Sequence, residues 1–122
     1  MRGVPEEDAI RRARAALRGA GDEEAARILK RAVILFPGKS RSWYLRVVAR
    51  CLIGVERLAP YAWRVPGVKS LGDRYPYYTV VLTRKGWYCD CYSRSYGWRR
   101  SAETCTHVAA VRVLMSMEAE LR

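Results

Sequence analysis

Apolar residues change rhythm once along this chain, close to Gly54. Before it they recur every three or four positions, the period of a helix with one buried face; after it they alternate with polar residues, the period of a strand. Pro5-Glu6-Glu7-Asp8 reads as a helix start, with proline suited to the first turn and the acids near the positive end of the helix dipole. That helix runs through Leu17 to about Arg18 and is stopped by Gly19 and Gly21. Asp22-Glu23-Glu24 opens a second helix in the same way, with Ala25, Ile28, Leu29, Ala32, Val33 and Phe36 as its apolar face and Pro37-Gly38 as its end. Ser40 or Ser42 is placed to cap a third helix over residues 43–52, although Val47, Val48 and the aromatics there also suit a strand.

Past Gly54, residues 55–68 and 74–83 alternate aromatic, β-branched and polar side chains, with Pro66-Gly67 and Leu71-Gly72-Asp73 as breaks. Two or three strands are expected, followed by a short arm, Gly86-Trp87-Tyr88-Cys89-Asp90-Cys91. From Val108 onward the apolar positions 110, 111, 114 and 117 return to helical spacing. The expected fold class is α+β. Residues 1–54 form a helical hairpin plus a third helix, and residues 55–122 form a small antiparallel sheet and a C-terminal helix. No low-complexity linker separates the parts, so one folded unit is expected. Ala13, Ala25, Ala32 and Pro37 fall at the spacing of a single tetratricopeptide repeat, but stacked arrays need three or more copies. The favoured reading is a hairpin packed through alanines. A helix-turn-helix is discounted, because Asp22-Glu23-Glu24 would meet phosphates with like charge.

Charge changes the picture next. The 122 residues carry 23 basic and 12 acidic side chains, a formal +11, and half the residues are apolar, enough for a core. A small domain this basic points to a polyanion as partner. The excess is +6 over residues 1–60 and +5 over 61–122, so charge alone does not select a surface. No stretch approaches the ~18 to 20 uninterrupted apolar residues of a membrane helix, and no secretory signal is evident in the charged N-terminus, so a cytoplasmic protein without a membrane role is expected. The chain contains no asparagine or glutamine, which fits a protein selected for heat. Nineteen of the 23 basic residues are arginine, which a GC-rich genome would equally produce.

The chemistry-bearing residues are Cys89, Cys91, Cys105 and His107, in the order C-x-C, thirteen residues, C-x-H, and His107 is the chain's one histidine. Three thiolates and an imidazole make a complete ligand set for one tetrahedral Zn²⁺, with no position open to water or substrate. Cys89 and Cys91, two apart on a strand, face one side while Asp90 points away; Cys105 should lie just before the C-terminal helix and His107 in its first turn. The result would be a ββα unit centred on zinc. A disulfide within C-x-C would be strained, although hyperthermophile cytoplasms tolerate disulfides. A catalytic cysteine–histidine pair would leave two thiols at ligand spacing unexplained. Cys51, within Val47-Val48-Ala49-Arg50-Cys51-Leu52-Ile53, reads as a core residue rather than a ligand.

This ligand order, with Trp87 and Tyr88 before the first cysteine and Val108 and Ala110 after the histidine, resembles the SWIM zinc finger. Trp63-Arg64-Val65-Pro66 and Tyr77-Tyr78-Thr79-Val80 look like the strands that precede the motif in that family, so the resemblance covers roughly residues 60–118. Thr106 departs from it, since many members carry lysine there. The resemblance implies a module that binds DNA or proteins, in some cases beside recombinase paralogues, and not one particular activity.

The expected function is therefore non-enzymatic binding of nucleic acid, DNA or structured RNA, chiefly through its backbone and with low sequence specificity. The sharpest contact candidate is the segment between the ligands, where Arg94, Arg99 and Arg100 offer phosphate grips and Tyr96 and Trp98 offer stacking faces. Arg84 and Lys85, at an expected hairpin tip, would add to it. Alternatively Tyr92 and Trp98 fold inward over the metal and only the arginines face water. Arg11, Arg14 and Arg18 share a face of the first helix, a second basic surface. Two other classes compete: a small basic subunit of a ribonucleoprotein such as the ribosome, and a protein-interaction adaptor docking through residues 5–36, for example on a recombinase paralogue. No paired carboxylates, nucleotide loop or open metal site suggest an enzyme or a small-molecule substrate.

Overall fold

In the computed structural model, residues 3–91 and 104–120 are described. Three helices, α1 (Glu6–Leu17), α2 (Glu23–Leu35) and α3 (Arg41–Ile53), precede four strands, β1 (Glu56–Ala59), β2 (Ala62–Pro66), β3 (Tyr77–Thr83) and β4 (Gly86–Cys89), and a last helix, α4 (Thr106–Glu120). A single 3₁₀ turn, Lys69–Leu71, lies between β2 and β3. The class is α+β, as the patterning predicts.

The helix starts obey the local chemistry. Pro5 precedes the acidic first turn of α1, and the Asp22 carboxylate caps α2 by accepting from the Ala25 N–H at 2.8 Å. The same carboxylate takes two bonds from Arg12, at 2.7 and 2.8 Å, while Arg12 also reaches Glu24 at 3.0 Å, so one guanidinium ties α1 to the start of α2. The hydroxyl of Ser40 accepts from the Trp43 N–H and sets the start of α3. Residues 43–52 are thus helical, not extended. Tyr44, Val47, Val48, Cys51 and Leu52 recur at helical intervals and are all buried, and that burial favours the helix over the strand that the β-branched residues also suit.

Three of the four alanines of α1 (Ala9, Ala13, Ala16) are buried, and α1 packs mainly against α3, with a smaller contact to α2. Small side chains let these helices approach closely. Val33, which the spacing puts on the covered face of α2, is 42 % exposed and Ile34 is 61 % exposed.

The sheet is an antiparallel meander in the order β1-β2-β3-β4. Trp63 and Val65 of β2 and Tyr78 and Val80 of β3 point to its covered face, with Arg64 and Thr79 paired on the other. The β3–β4 hairpin pairs Thr83 with Gly86 around residues 84–85, and Gly86 adopts φ 118, a conformation open chiefly to glycine. Gly67 is needed for a different reason: a Cβ there would lie 1.8 Å from the Tyr75 carbonyl oxygen.

Helix α4 lies where two cores meet. Ala109, Ala110 and Val113 pack with α1–α3, while Val108 and Val111 pack with Trp63, Val65, Tyr78 and Val80 from the sheet. Its first half is therefore buried nearly all round, and each fully buried valine there contributes ~1.5 to 3 kcal/mol.

Candidate metal centre

Strand β4 delivers Cys89 to the covered face, opposite Val80. The ladder would end there, but Asp90 prolongs it: its N–H donates to the Thr79 carbonyl at 3.1 Å, and its carboxylate accepts from the Thr79 N–H at 3.2 Å. Asp90 is thereby held on β3, while β4 ends at Cys89 and Cys91 takes a helical conformation beyond it, so the two cysteines do not share a strand as their spacing predicts; the sulfur of Cys91 nonetheless joins the cluster. Cys105 immediately precedes α4 and receives the Val108 N–H on its sulfur at 3.5 Å, while its carbonyl accepts from Ala109. His107 sits in the first turn of α4. All four side chains are buried, and their donor atoms lie within 4.8 Å of one another. Four buried cysteine and histidine side chains could thus hold one metal ion.

The fit can be tested on the donors themselves. Ligand atoms around a tetrahedral zinc ion stand ~3.5 to 3.8 Å apart, from its usual bond lengths. Cys89 Sγ lies 3.8 Å from His107 Nδ1. The other imidazole nitrogen, Nε2, is 2.9 Å from Asp73 Oδ1. A proton on Nε2 donated to that carboxylate leaves the Nδ1 lone pair facing the sulfurs, the arrangement by which carboxylates orient histidine ligands. The ring of Tyr78 stacks on His107 with centroids 4.0 Å apart, and the Tyr78 hydroxyl accepts the Arg74 N–H, so the imidazole is fixed on its face as well as its edge. Three sulfurs and one imidazole nitrogen thus make a donor set that could hold one metal ion.

Asp73 is itself anchored. It accepts from the Val68 N–H at 2.8 Å and from both terminal nitrogens of Arg50, at 2.6 and 3.1 Å. Burial alone would raise its pKa, but the hydrogen bonds from His107 and Arg50 outweigh that and hold it at about 2. The third Arg50 nitrogen, Nε, donates to the Thr106 hydroxyl at 3.0 Å. A chain of contacts Thr106–Arg50–Asp73–His107 therefore links α3, the turn before β3 and the start of α4. Among the thiols, hydrogen bonds from Cys89 and Cys91 pull the Cys105 pKa down, while the proximity of Cys105 and Cys91 pushes that of Cys89 up. Crowded sulfurs oppose one another's ionisation; a divalent cation would relieve that repulsion.

Cys51 lies apart from this cluster. It is buried between α3 and α4 with its sulfur 3.5 Å from the Ala110 carbonyl, in keeping with a core role. Arg84 and Lys85 are exposed at the β3–β4 turn. Arg94, Tyr96, Trp98, Arg99 and Arg100 lie outside the described residues. Sequence reasoning missed Arg50, Asp73, Tyr78 and Thr106 as the shell around the ligands. One signal was present: an arginine inside the apolar helical run 47–53 must find a buried partner. Among the described residues no helix is long and apolar enough to cross a membrane.

No protein-family model matches this chain, and no curated protein or solved structure shows significant similarity to it.

Proposed function

We propose that this chain is a non-enzymatic, cytoplasmic, nucleic-acid-binding protein built on a SWIM-type zinc finger, with Cys89, Cys91, Cys105 and His107 holding one structural Zn²⁺. What supports the reading most is a donor set that would be filled by protein alone, in a chain whose formal charge is +11. Such a set gives a metal no open position for substrate. Zinc with three thiolates adds only about −1, so the positive charge remains for a polyanion. Cations stand on the surface away from the apolar cores: Arg14 and Arg18 of α1, and Arg84 and Lys85 at the β3–β4 turn, are all exposed. The metal's contribution is to cross-link the β3–β4 hairpin to α4, and through Asp73 and Arg50 to α3.

Binding through these cations would be backbone-directed, tolerant of sequence and steeply salt-dependent. The test is to isolate the protein from its native cells at mild salt and identify what accompanies it. Ribosomal RNA with ribosomal proteins would assign it to a ribonucleoprotein, and scattered DNA to a chromatin or repair role. One stoichiometric protein without nucleic acid would refute the proposal in favour of an adaptor. Replacing Arg94, Arg99 and Arg100 together by alanine then asks whether the segment between the ligands makes the contact; unchanged affinity would remove it.

A further inference from the structure

A groove of about 1120 Å³ runs between α2, α4 and the β1–β2 edge, away from the metal ligands. Its floor includes Val111, Leu114, Met115 and Met117 of α4, with Ile34 of α2, 61 % exposed, along one wall. Its rim carries Arg27 and Lys30 from α2 and Arg57 from β1, all exposed. Acids line it too, but two of them are engaged by arginines that do not line it. Glu24 accepts from Arg12 at 3.0 Å, and Glu56 accepts from Arg64 at 2.6 and 3.0 Å. Cations therefore prevail at the rim even with Glu118 set against them.

We propose that this groove docks an acidic amphipathic helix of a partner protein. Charge complementarity selects the sign of the partner, because carboxylates flanking an apolar stripe would meet Arg27, Lys30 and Arg57. The floor selects a helix over a nucleic acid strand. It is made of aliphatic and methionine side chains, which adapt to leucine-like anchors at helical spacing. Its one aromatic, Trp63, is 3 % exposed and lies under the Arg57 guanidinium, 5.5 Å from the ring centroid, so no flat face is offered to a base. This inference stands apart from the nucleic-acid reading, which uses other surfaces.

The test uses the zinc-loaded full chain and a synthetic peptide of about 18 residues with leucines at helical spacing and glutamates on the remaining faces. The Met115 and Met117 methyl resonances should shift on addition of this peptide and stay in place with a scrambled peptide of the same composition. Ile34→Glu should weaken binding about tenfold or more. The surface variant Arg27→Glu with Lys30→Glu should fold normally and exchange the preference to a lysine-bearing peptide. Equal binding of the scrambled peptide, or an unchanged preference in the charge-reversed variant, would overturn the proposal. So would methyl shifts produced by an oligonucleotide but not by the peptide, or by raising the protein's own concentration; these would assign the groove to nucleic acid or to a second copy of the chain.

Discussion

Replacing Asp73 by asparagine removes one charge from the shell of the metal centre and almost none of its shape. The carboxylate accepts four hydrogen bonds on two oxygens: His107 and one Arg50 nitrogen on Oδ1, the second Arg50 nitrogen and the Val68 N–H on Oδ2. An amide retains one acceptor oxygen. With that oxygen on the Oδ2 side, the amide nitrogen meets His107 Nε2 and Arg50 Nη2, both donors, and two bonds are lost. Bonds to charged groups contribute ~1.5 to 3 kcal/mol each, and leaving one partner of a buried ion pair uncompensated costs ~3 to 5 kcal/mol. Arg50 and Asp73 have side-chain exposures of 2 % and 6 %, so solvent does little to soften the loss. We expect the zinc-loaded variant to lose about 3 kcal/mol by denaturant unfolding. Zinc affinity, measured by chelator competition, should fall ~10- to 100-fold as the imidazole loses its orienting partner. A variant that binds zinc within a factor of about three of the original would refute the role given to Asp73, because that loss lies well below the range for an orienting carboxylate.

Other outcomes follow from the same geometry. Cys105→Ser and His107→Ala should each release the metal and unfold the region around α4, whereas Cys51→Ala should keep one zinc per chain; a full equivalent of zinc in the first two would sink the ligand assignment. Gly67→Ala should cost about 3 kcal/mol or fail to fold, read by thermal unfolding, because the new methyl has nowhere to go beside the Tyr75 carbonyl oxygen. Asp22→Ala should cost about 1 kcal/mol through the lost α2 cap, with loss of the half-buried Arg12 pair adding up to about 1 kcal/mol. The Arg12 and Ala25 hydrogen bonds hold the Asp22 pKa below its ordinary value, so its contribution is present above about pH 4 and is lost as pH falls toward that lowered pKa. The difference between the original and Asp22→Ala should therefore shrink on acidification below about pH 4; a constant difference would contradict it.

Much of the framework was legible along the chain because it is local. Helix starts at Pro5 and Asp22, the glycine stops and the period-two stretches are decided by residues within a turn or two of each other. The candidate ligands were legible for the same reason: C-x-C at the end of a strand and C-x-H at a helix start each place two donors close together, and the fold then brings all four donor atoms within 4.8 Å. Residues 43–52 were legible as a helix through the Ser40 cap but less plainly, since their β-branched residues also suit a strand; burial of Tyr44, Val47, Val48, Cys51 and Leu52 against other elements supports the helix.

The amino-acid order on its own, then, decided the fold class, the sequence of helices and strands, the excess of positive charge and the four candidate ligands, since each depends on composition or on neighbours in the chain. The tertiary structure alone decided what surrounds them. Arg50 and Asp73 are 23 residues apart, and Arg50 and Thr106 are 56 apart, yet they meet beside His107. Packing α4 between a helical core and a sheet brings them there, and it also leaves the basic-rimmed groove open between α2 and β1. Long-range contacts of this kind carry no sequence period, because what selects them is the requirement that every buried charge be paired.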